Sequence, residues 1–175
     1  FSGRVDAAYA GGRVTELKAR LDSNAGVIQI DDKDTSPLNV EHAAIEASWN
    51  EAARALDLPR LELDGGGNRV QLQGRLLTAV AGEGWHLSLT GKDLILSGPA
   101  EGDKPVRIGT LGAELSGPDG VVLKSVKLDG PELAAEISGI LGASADPHGL
   151  NLNVRASKTD VRTAIRIWPE AVAPP

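Results

Sequence analysis

The sequence contains no cysteine and no methionine among its 175 residues. The lack of cysteine excludes disulfide frameworks, cysteine-ligated zinc sites and thiol nucleophiles. Because the chain begins at Phe1 and ends at Pro175 without an initiating methionine, we expect it to be a segment of a longer protein. A signal or anchor could then lie upstream of Phe1. No stretch of the sequence itself is long and apolar enough to cross a bilayer.

Aromatic residues are also scarce, and positive charge is dispersed. The 18 Lys and Arg residues include no adjacent pair, and the net charge is −6. A surface that binds nucleic acid usually needs clustered basic residues with aromatic rings between them. The sequence therefore disfavours nucleic acid as a partner, and also a sugar cleft lined with stacking rings. The aromatic residues are Phe1, Tyr9, Trp49, Trp85 and Trp168.

Motifs for catalysis or metal binding are missing as well. His42, His86 and His148 are far apart, and none belongs to a His-x-x-x-His pair. The acidic run 31–34 lacks the spaced ligands and terminal Glu of a calcium loop, so a solvated turn is the favoured interpretation. The glycines of 65–67 are not followed by the Lys-Ser or Lys-Thr of a phosphate loop. We therefore predict no metal, no cofactor and no enzymatic activity.

The sequence does contain strict apolar alternation between glycine and proline punctuation. Trp85, Leu87 and Leu89 are separated by polar residues, which is typical of a half-buried strand. His86 is then expected to face solvent. Gly91-Lys92-Asp93 is expected to turn the chain into a second strand that carries Leu94 and Leu96. The apolar set facing the interior is predicted to be Val70, Leu72, Leu76, Trp85, Leu87, Leu89, Leu94 and Leu96.

This alternation predicts a mainly β protein. Because every connection is short, successive strands are expected to be antiparallel neighbours in a meander. The strands are predicted at 3–10, 13–22, 25–31, 37–48, 53–63, 68–78, 84–90, 93–98, 104–115, 120–128, 131–141 and 149–156. At Pro59 the apolar phase slips by one residue, which predicts a bulge or bend near a sheet edge.

One short helix is predicted at the end of the chain, over 158–168. Val161, Ile165 and Trp168 share a helical face, and Pro169 would end the helix. A basic stripe, Lys158, Arg162 and Arg166, lies beside that face. Two interpretations stay open: the helix lies on an anionic membrane surface, or it caps the open end of the sheet.

A possible internal duplication lies within the single β-rich fragment of residues 1–175. Leu63-Asp64-Gly65 is followed nine residues later by Gly74, and Leu128-Asp129-Gly130 is followed nine residues later by Gly139. A duplicated strand–turn–strand unit around 53–78 and 120–141 would produce this pattern. Coincidence in a glycine-rich β protein is the alternative.

This order of parts resembles the AsmA-like proteins of the Gram-negative envelope, in the YhdP- and TamB-related branch. Amphipathic strands with Leu-Asp-Gly turns are followed by a short helix that runs into Trp168-Pro169. The resemblance implies a periplasmic segment of a protein anchored in the inner membrane. It also implies a long sheet curled into a groove of the β-taco type, whose apolar lining shields lipid acyl chains between the inner and outer membranes.

Two functional hypotheses follow from the residues and the resemblance. In the first, the predicted interior residues line a groove that binds or conducts phospholipid or another acyl lipid. In the second, the fragment is a structural β-scaffold that contacts other envelope proteins, and its interior is packed shut. A Leu that faces a lipid and a Leu that faces another Leu are identical in sequence, so both hypotheses stand.

Overall fold

The structure is a computed structural model that describes residues 2–28, 38–80, 84–97, 104–117, 120–143 and 146–159. All regular structure in these ranges is β, which confirms the predicted class. The strands are β1 Ser2–Ala10, β2 Arg13–Ser23, β3 Gly26–Ile28, β4 Leu38–Val40, β5 His42–Asn50, β6 Ala55–Gly65, β7 Asn68–Val80, β8 Gly84–Leu96, β9 Val106–Gly117, β10 Gly120–Asp129, β11 Leu133–Ala143 and β12 Asp146–Thr159.

Ten of these strands form one antiparallel sheet in the order β1-β2-β5-β6-β7-β8-β9-β10-β11-β12. Each strand after β5 pairs with its successor in the chain, as a meander requires. β9 and β10, for example, pair antiparallel as consecutive strands. Short connections between consecutive strands leave little choice but this neighbour-to-neighbour pairing.

The strand predicted over 37–48 is wrong, because it is interrupted at Glu41. β4 pairs with β3 in a separate two-stranded sheet, and β5 pairs with β2 in the main sheet. The interruption is fixed by the Glu41 amide, which donates a hydrogen bond to the Asp64 carbonyl at 2.8 Å. Val40 is buried beside Gly65, where a side chain would collide with the backbone of Asn39.

The hairpin turn predicted at Gly91-Lys92-Asp93 is also wrong. β8 continues through these residues as one strand of 13 residues. Relative to β7, the register shifts by one residue between the pairs Leu72–Gly91 and Arg69–Ile95, so β8 contains a bulge. Asp93 takes a positive φ of 53° there. A Gly-Lys-Asp sequence suits a bulge as well as a turn, and pairing with both neighbouring strands selects the bulge.

The bulge predicted at Pro59 is confirmed, but its position near a sheet edge is wrong. β6 lies between β5 and β7 in the interior of the sheet. Its register shifts by one residue against both neighbours at this point. Proline has no amide hydrogen to donate, so an interior strand can contain it only where the ladder is locally interrupted.

The helix predicted over 158–168 does not begin at Lys158. β12 extends through Thr159, and its backbone pairs Ala134 with Lys158 and Leu133 with Thr159. Sheet pairing with β11 therefore overrides the helical spacing at these two positions. The other helix residues lie outside the described residues, namely Val161, Arg162, Ile165, Arg166 and Trp168. In the described part of the chain, no helix is long and apolar enough to cross a membrane.

The two copies of the proposed duplication occupy similar places in the sheet. Leu63-Asp64-Gly65 ends β6, and Leu128-Asp129 ends β10 before Gly130. Gly74 and Gly139 lie in the following strands, β7 and β11. The duplication itself stays a prediction.

Candidate functional site

One face of the ten-stranded sheet is apolar on every strand, and we call it the apolar face. Directly paired residues of neighbouring strands share a face, so the printed registers trace it across the sheet. From β1 to β12 it includes Val5, Ala7, Leu17, Ala19, Leu21, Ala43, Ile45, Leu61, Leu63, Val70, Leu72, Leu76, Leu87, Leu89, Leu111, Ala113, Leu115, Leu123, Val126, Leu128, Ala135, Ile137, Leu152 and Val154.

Bulges keep this face continuous where the sequence changes phase. In β6, Leu58 and Leu61 are three residues apart, yet they pair with Gly74 and Leu72, which alternate regularly in β7. In β10, Leu123 and Val126 are also three apart and pair with alternating residues of β11. A one-residue slip would otherwise move every later apolar side chain to the opposite face. The extra residue in each bulged strand cancels that slip.

The predicted lining residues all lie on the apolar face, on β7 and β8. Leu76 pairs with Leu87, whereas Leu89 pairs with Gly74 and Leu72 pairs with Gly91. The bulge in β8 turns Leu94 and Leu96 to this face, where they pack with Val70 and Leu72 in one cluster. Trp85 alternates regularly with Leu87 and Leu89. The prediction for Leu94 and Leu96 rested on a hairpin, whereas a bulge places them there.

At one end of the apolar face the side chains pack against one another, and we call this the packed end. It lies where β8 ends and where β9 and β11 begin. Leu94, Val106, Ile108 and Leu133 are each 1–3% exposed and form a single buried cluster. Leu128 of β10 and Ala135 of β11 pack against it.

At the other end of the strands the apolar face borders a cavity of about 780 Å³, and we call this the open end. Its floor consists of apolar-face residues, Val14, Leu17, Trp49, Leu56 and Leu76. Its rim is polar and charged, with Arg13, Glu51, Arg54 and Thr78. Ligand pockets typically measure about 300–1,000 Å³ and combine an apolar lining with a few polar groups.

Most of the open-end residues were missed by the sequence prediction, which included Leu76 alone. The missed signal is that Trp49 and Leu56 flank the turn 51–54 and therefore face each other, as the pair Trp49–Leu56 confirms. Arg54 has a positive φ of 49°, and its carbonyl accepts hydrogen bonds from the Thr78 amide at 3.1 Å and the Thr78 hydroxyl at 3.2 Å. The turn is thus fixed to β7 at the mouth of the cavity.

Towards β1 and β12 the apolar face becomes exposed. Val5 is 58% and Tyr9 72% exposed on β1, and Val154 is 38% exposed on β12. Contiguous apolar surface of this kind marks an interaction site more often than isolated exposed side chains do.

The opposite face carries charged side chains that pair within and across strands. Arg60 Nη2 lies 2.6 Å from Glu62 Oε2, and Glu46 Oε1 lies between Arg20 at 3.6 Å and Arg60 at 3.8 Å. The hydrogen bond from Arg60 lowers the pKa of Glu62. Arg75 lowers the pKa of Asp57 in the same way across β6 and β7. These pairs mark the solvated side of the sheet.

His86 lies on this polar face, as the alternation predicts, but it is more than a solvated side chain. Its Nε2 lies 2.6 Å from Glu114 Oε2, which also accepts a hydrogen bond from Ser88 at 2.9 Å. Burial favours a raised pKa for Glu114, but the bonds from His86 and Ser88 outweigh it and leave the pKa lowered. Glu114 thus accepts hydrogen bonds from both His86 and Ser88.

No group of three or more potential metal ligands occurs within the described ranges. In the comparisons with known proteins, no family model, no curated protein and no solved structure matches this chain.

Proposed function

We propose that the apolar face binds or conducts lipid acyl chains, as a periplasmic segment of an AsmA-like protein that links the inner and outer membranes. The observation that carries the proposal is the apolar face itself. It crosses all ten strands, and none of its residues named above, from Val5 on β1 to Val154 on β12, carries a charge. Much of it is only partly buried.

An acyl chain is the ligand that such a surface suits. It offers apolar area along its whole length and needs few polar contacts, so its affinity depends on area removed from water, at about 25 cal/mol per Å². Aligned rows of Leu, Val and Ala across many strands provide a continuous path rather than a single pocket. The polar ion pairs of the opposite face keep that side in water.

We further propose that the sheet curls around this path. Register shifts occur in most strand pairs, and bulges increase local twist and bend. At the packed end, Leu133 of β11 belongs to the same cluster as Leu94 of β8. Cα atoms of β11 also come within 8 Å of those of β9. In a flat sheet, strands two positions apart are about 9.5 Å apart, so this approach favours curvature.

The packed end also supports a second candidate function. The cluster of Leu94, Val106, Ile108 and Leu133 is filled by the protein's own side chains. If such packing continued along the sheet, the fragment would be a structural scaffold that contacts other envelope proteins, without a lipid path.

Photo-crosslinking in Gram-negative cells separates the two functions. A crosslinking residue at Leu72 or Leu87, on the apolar face, should capture phospholipid. The matched controls Gln71 and Ser88 are their neighbours in the chain and face the polar side, so they should capture none. Equal capture from both faces would refute a path defined by the apolar face. A folded protein without adducts at any apolar position would favour the scaffold.

A further inference from the structure

The open end differs from the rest of the apolar face because cationic side chains line it. Arg13 begins β2 immediately after the β1–β2 turn, and Arg54 ends the β5–β6 turn. Both line the cavity whose floor contains Leu17 and Leu56. Turns at the same end of an antiparallel sheet bring these two residues, 41 positions apart in the chain, to one mouth.

Neither arginine is ion-paired with another described residue. Of the other described arginines, Arg4, Arg20, Arg60, Arg69 and Arg75 each lie within 4.0 Å of a carboxylate. Arg107 and Arg155, which lie away from the open end, likewise form no ion pair with a described residue. At the cavity, two arginines face one carboxylate, that of Glu51, which accepts a hydrogen bond from Trp49 Nε1 at 2.7 Å. The mouth therefore has a positive balance in a chain whose net charge is −6.

We propose that the open end is a binding site for the headgroup of an anionic lipid. The acyl chain would lie on Val14, Leu17 and Leu56, and the anionic headgroup would pair with Arg13 and Arg54 at the rim. The inference rests on the proposed acyl-chain function and adds its headgroup preference and its point of recognition.

The physical basis is charge complementarity beside an apolar floor. A guanidinium offers a planar fork of donors that matches a phosphate or carboxylate, and such charge-assisted bonds are stronger than neutral ones. The fixed turn reduces the conformational entropy that Arg54 loses on binding, because its carbonyl is already held by Thr78. A zwitterionic headgroup would bring its own cation to the same two arginines and lose part of this gain.

Trp49 provides a direct reporter, since it lies in the cavity floor. The full 175-residue chain with Trp85→Phe and Trp168→Phe retains Trp49 as its sole tryptophan. Its fluorescence is measured while monomeric lysophosphatidylglycerol or lysophosphatidylcholine is added, each with the same brominated acyl chain as quencher. We expect the anionic probe to bind about three- to tenfold more tightly, the effect of two partly solvated ion pairs.

The variant Arg13→Gln/Arg54→Gln should remove this preference and leave the affinity for lysophosphatidylcholine unchanged. Arg107→Gln is the matched control, because Arg107 is exposed at the start of β9, at the packed end, and should leave the preference intact. Inorganic phosphate alone should not compete at the same concentration. Equal affinity for the two probes, or a preference that survives in the double variant, would overturn the headgroup site.

A second reporter separates this outcome from failure of the proposed function. A chain with Trp49→Phe and Trp168→Phe retains Trp85 on the apolar face of β8. Quenching of Trp85 without any at Trp49 would reject the open-end site and leave the acyl-chain path standing. If neither probe quenches either reporter in the folded protein, both proposals fail.

Discussion

The packed end and the open end of the apolar face are built from similar apolar residue types on different strands of one sheet, and they differ in what covers them. At the packed end, Leu133 of β11 and Ile108 of β9 are nearly inaccessible to solvent. At the open end, Leu56 of β6 and Leu76 of β7 border a cavity. One surface therefore serves as a hydrophobic core in one place and remains available to a ligand in another.

The difference arises from the strand connections rather than from side-chain chemistry. The β10–β11 connection carries Gly130 against the backbone of Arg107 and Ile108, where a side chain would not fit. Leu133, a member of the buried cluster, follows three residues later. The turns at the open end, 11–12 and 51–54, place charged residues at the rim and bring no large apolar side chain across the face. The described connections thus differ in what they bring to the two ends of the face.

The largest loss of stability is expected when the β8 bulge, which places Leu94 at the packed end, is removed. Deletion of Asp93 should rotate Leu94 and Leu96 to the polar face, because each later residue of β8 moves by one position. We expect a loss of about 4 kcal/mol in the free energy of unfolding, the usual cost of removing buried leucines from a core. Urea denaturation followed by tryptophan fluorescence measures it.

The control for this deletion is Asp93→Gly, which retains the extra residue and suits the positive φ. Its stability should lie within about 0.5 kcal/mol of the parent. If the deletion were as mild as this control, β8 would not depend on the bulge to present Leu94.

A smaller test compares one leucine from each end. Leu133→Ala should lower the free energy of unfolding by about 3 kcal/mol, because it leaves a cavity in a closed cluster. Leu56→Ala should cost about 1 kcal/mol, since its side chain is only partly removed from water. The two variants are compared in the same urea experiment. Equal losses would mean that the open end is closed in solution and would remove the contrast between the ends.

The smallest expected effect concerns the polar face, which both ends share. The hydrogen bond from Arg60 lowers the pKa of Glu62 below its ordinary value of 4.5 in the folded protein. The stability from this pair is therefore fully present above about pH 4.5 and is lost as the pH falls through the lowered value. The urea midpoint should decrease over that window, and in Glu62→Gln it should decrease less steeply.

The lowered pKa values of Asp57 and Glu114 act in the same direction, so part of the acid dependence should remain in Glu62→Gln. The difference between Leu133→Ala and Leu56→Ala should not change over this range, because none of the ion pairs with a lowered carboxyl pKa among the described residues lies on the apolar face. A difference that varied with pH would show that the two faces are coupled.

Much of the fold was predictable from local sequence. Period-two alternation and short turns gave the β class and the meander, since a strand with one apolar face must bury it and a short connection can reach only a neighbouring strand. The placement of Val70, Leu72, Leu76, Leu87 and Leu89 on one face followed from the same alternation. The Pro59 bulge was also predictable, because proline cannot donate to an interior ladder.

The errors occurred where local signals permit two structures. Gly91-Lys92-Asp93 suits a turn or a bulge, and Lys158 suits a helix or a strand; in both cases pairing with neighbouring strands decides. The open-end site combines Arg13, the hairpin residues Trp49 and Arg54, and Leu76, which come from three separated stretches of the chain. No single stretch signals such a site.

The sequence by itself determined which residues are apolar, with what period, and how short the connections are, and these fix an antiparallel sheet with one apolar face. Tertiary structure alone decided which parts of that face are covered and where Arg13 and Arg54 meet it. The physical reason is that alternation is a property of a single strand, whereas burial depends on what lies opposite. In this protein, what lies opposite a side chain depends on bulges and turns, and these are determined by strand pairing.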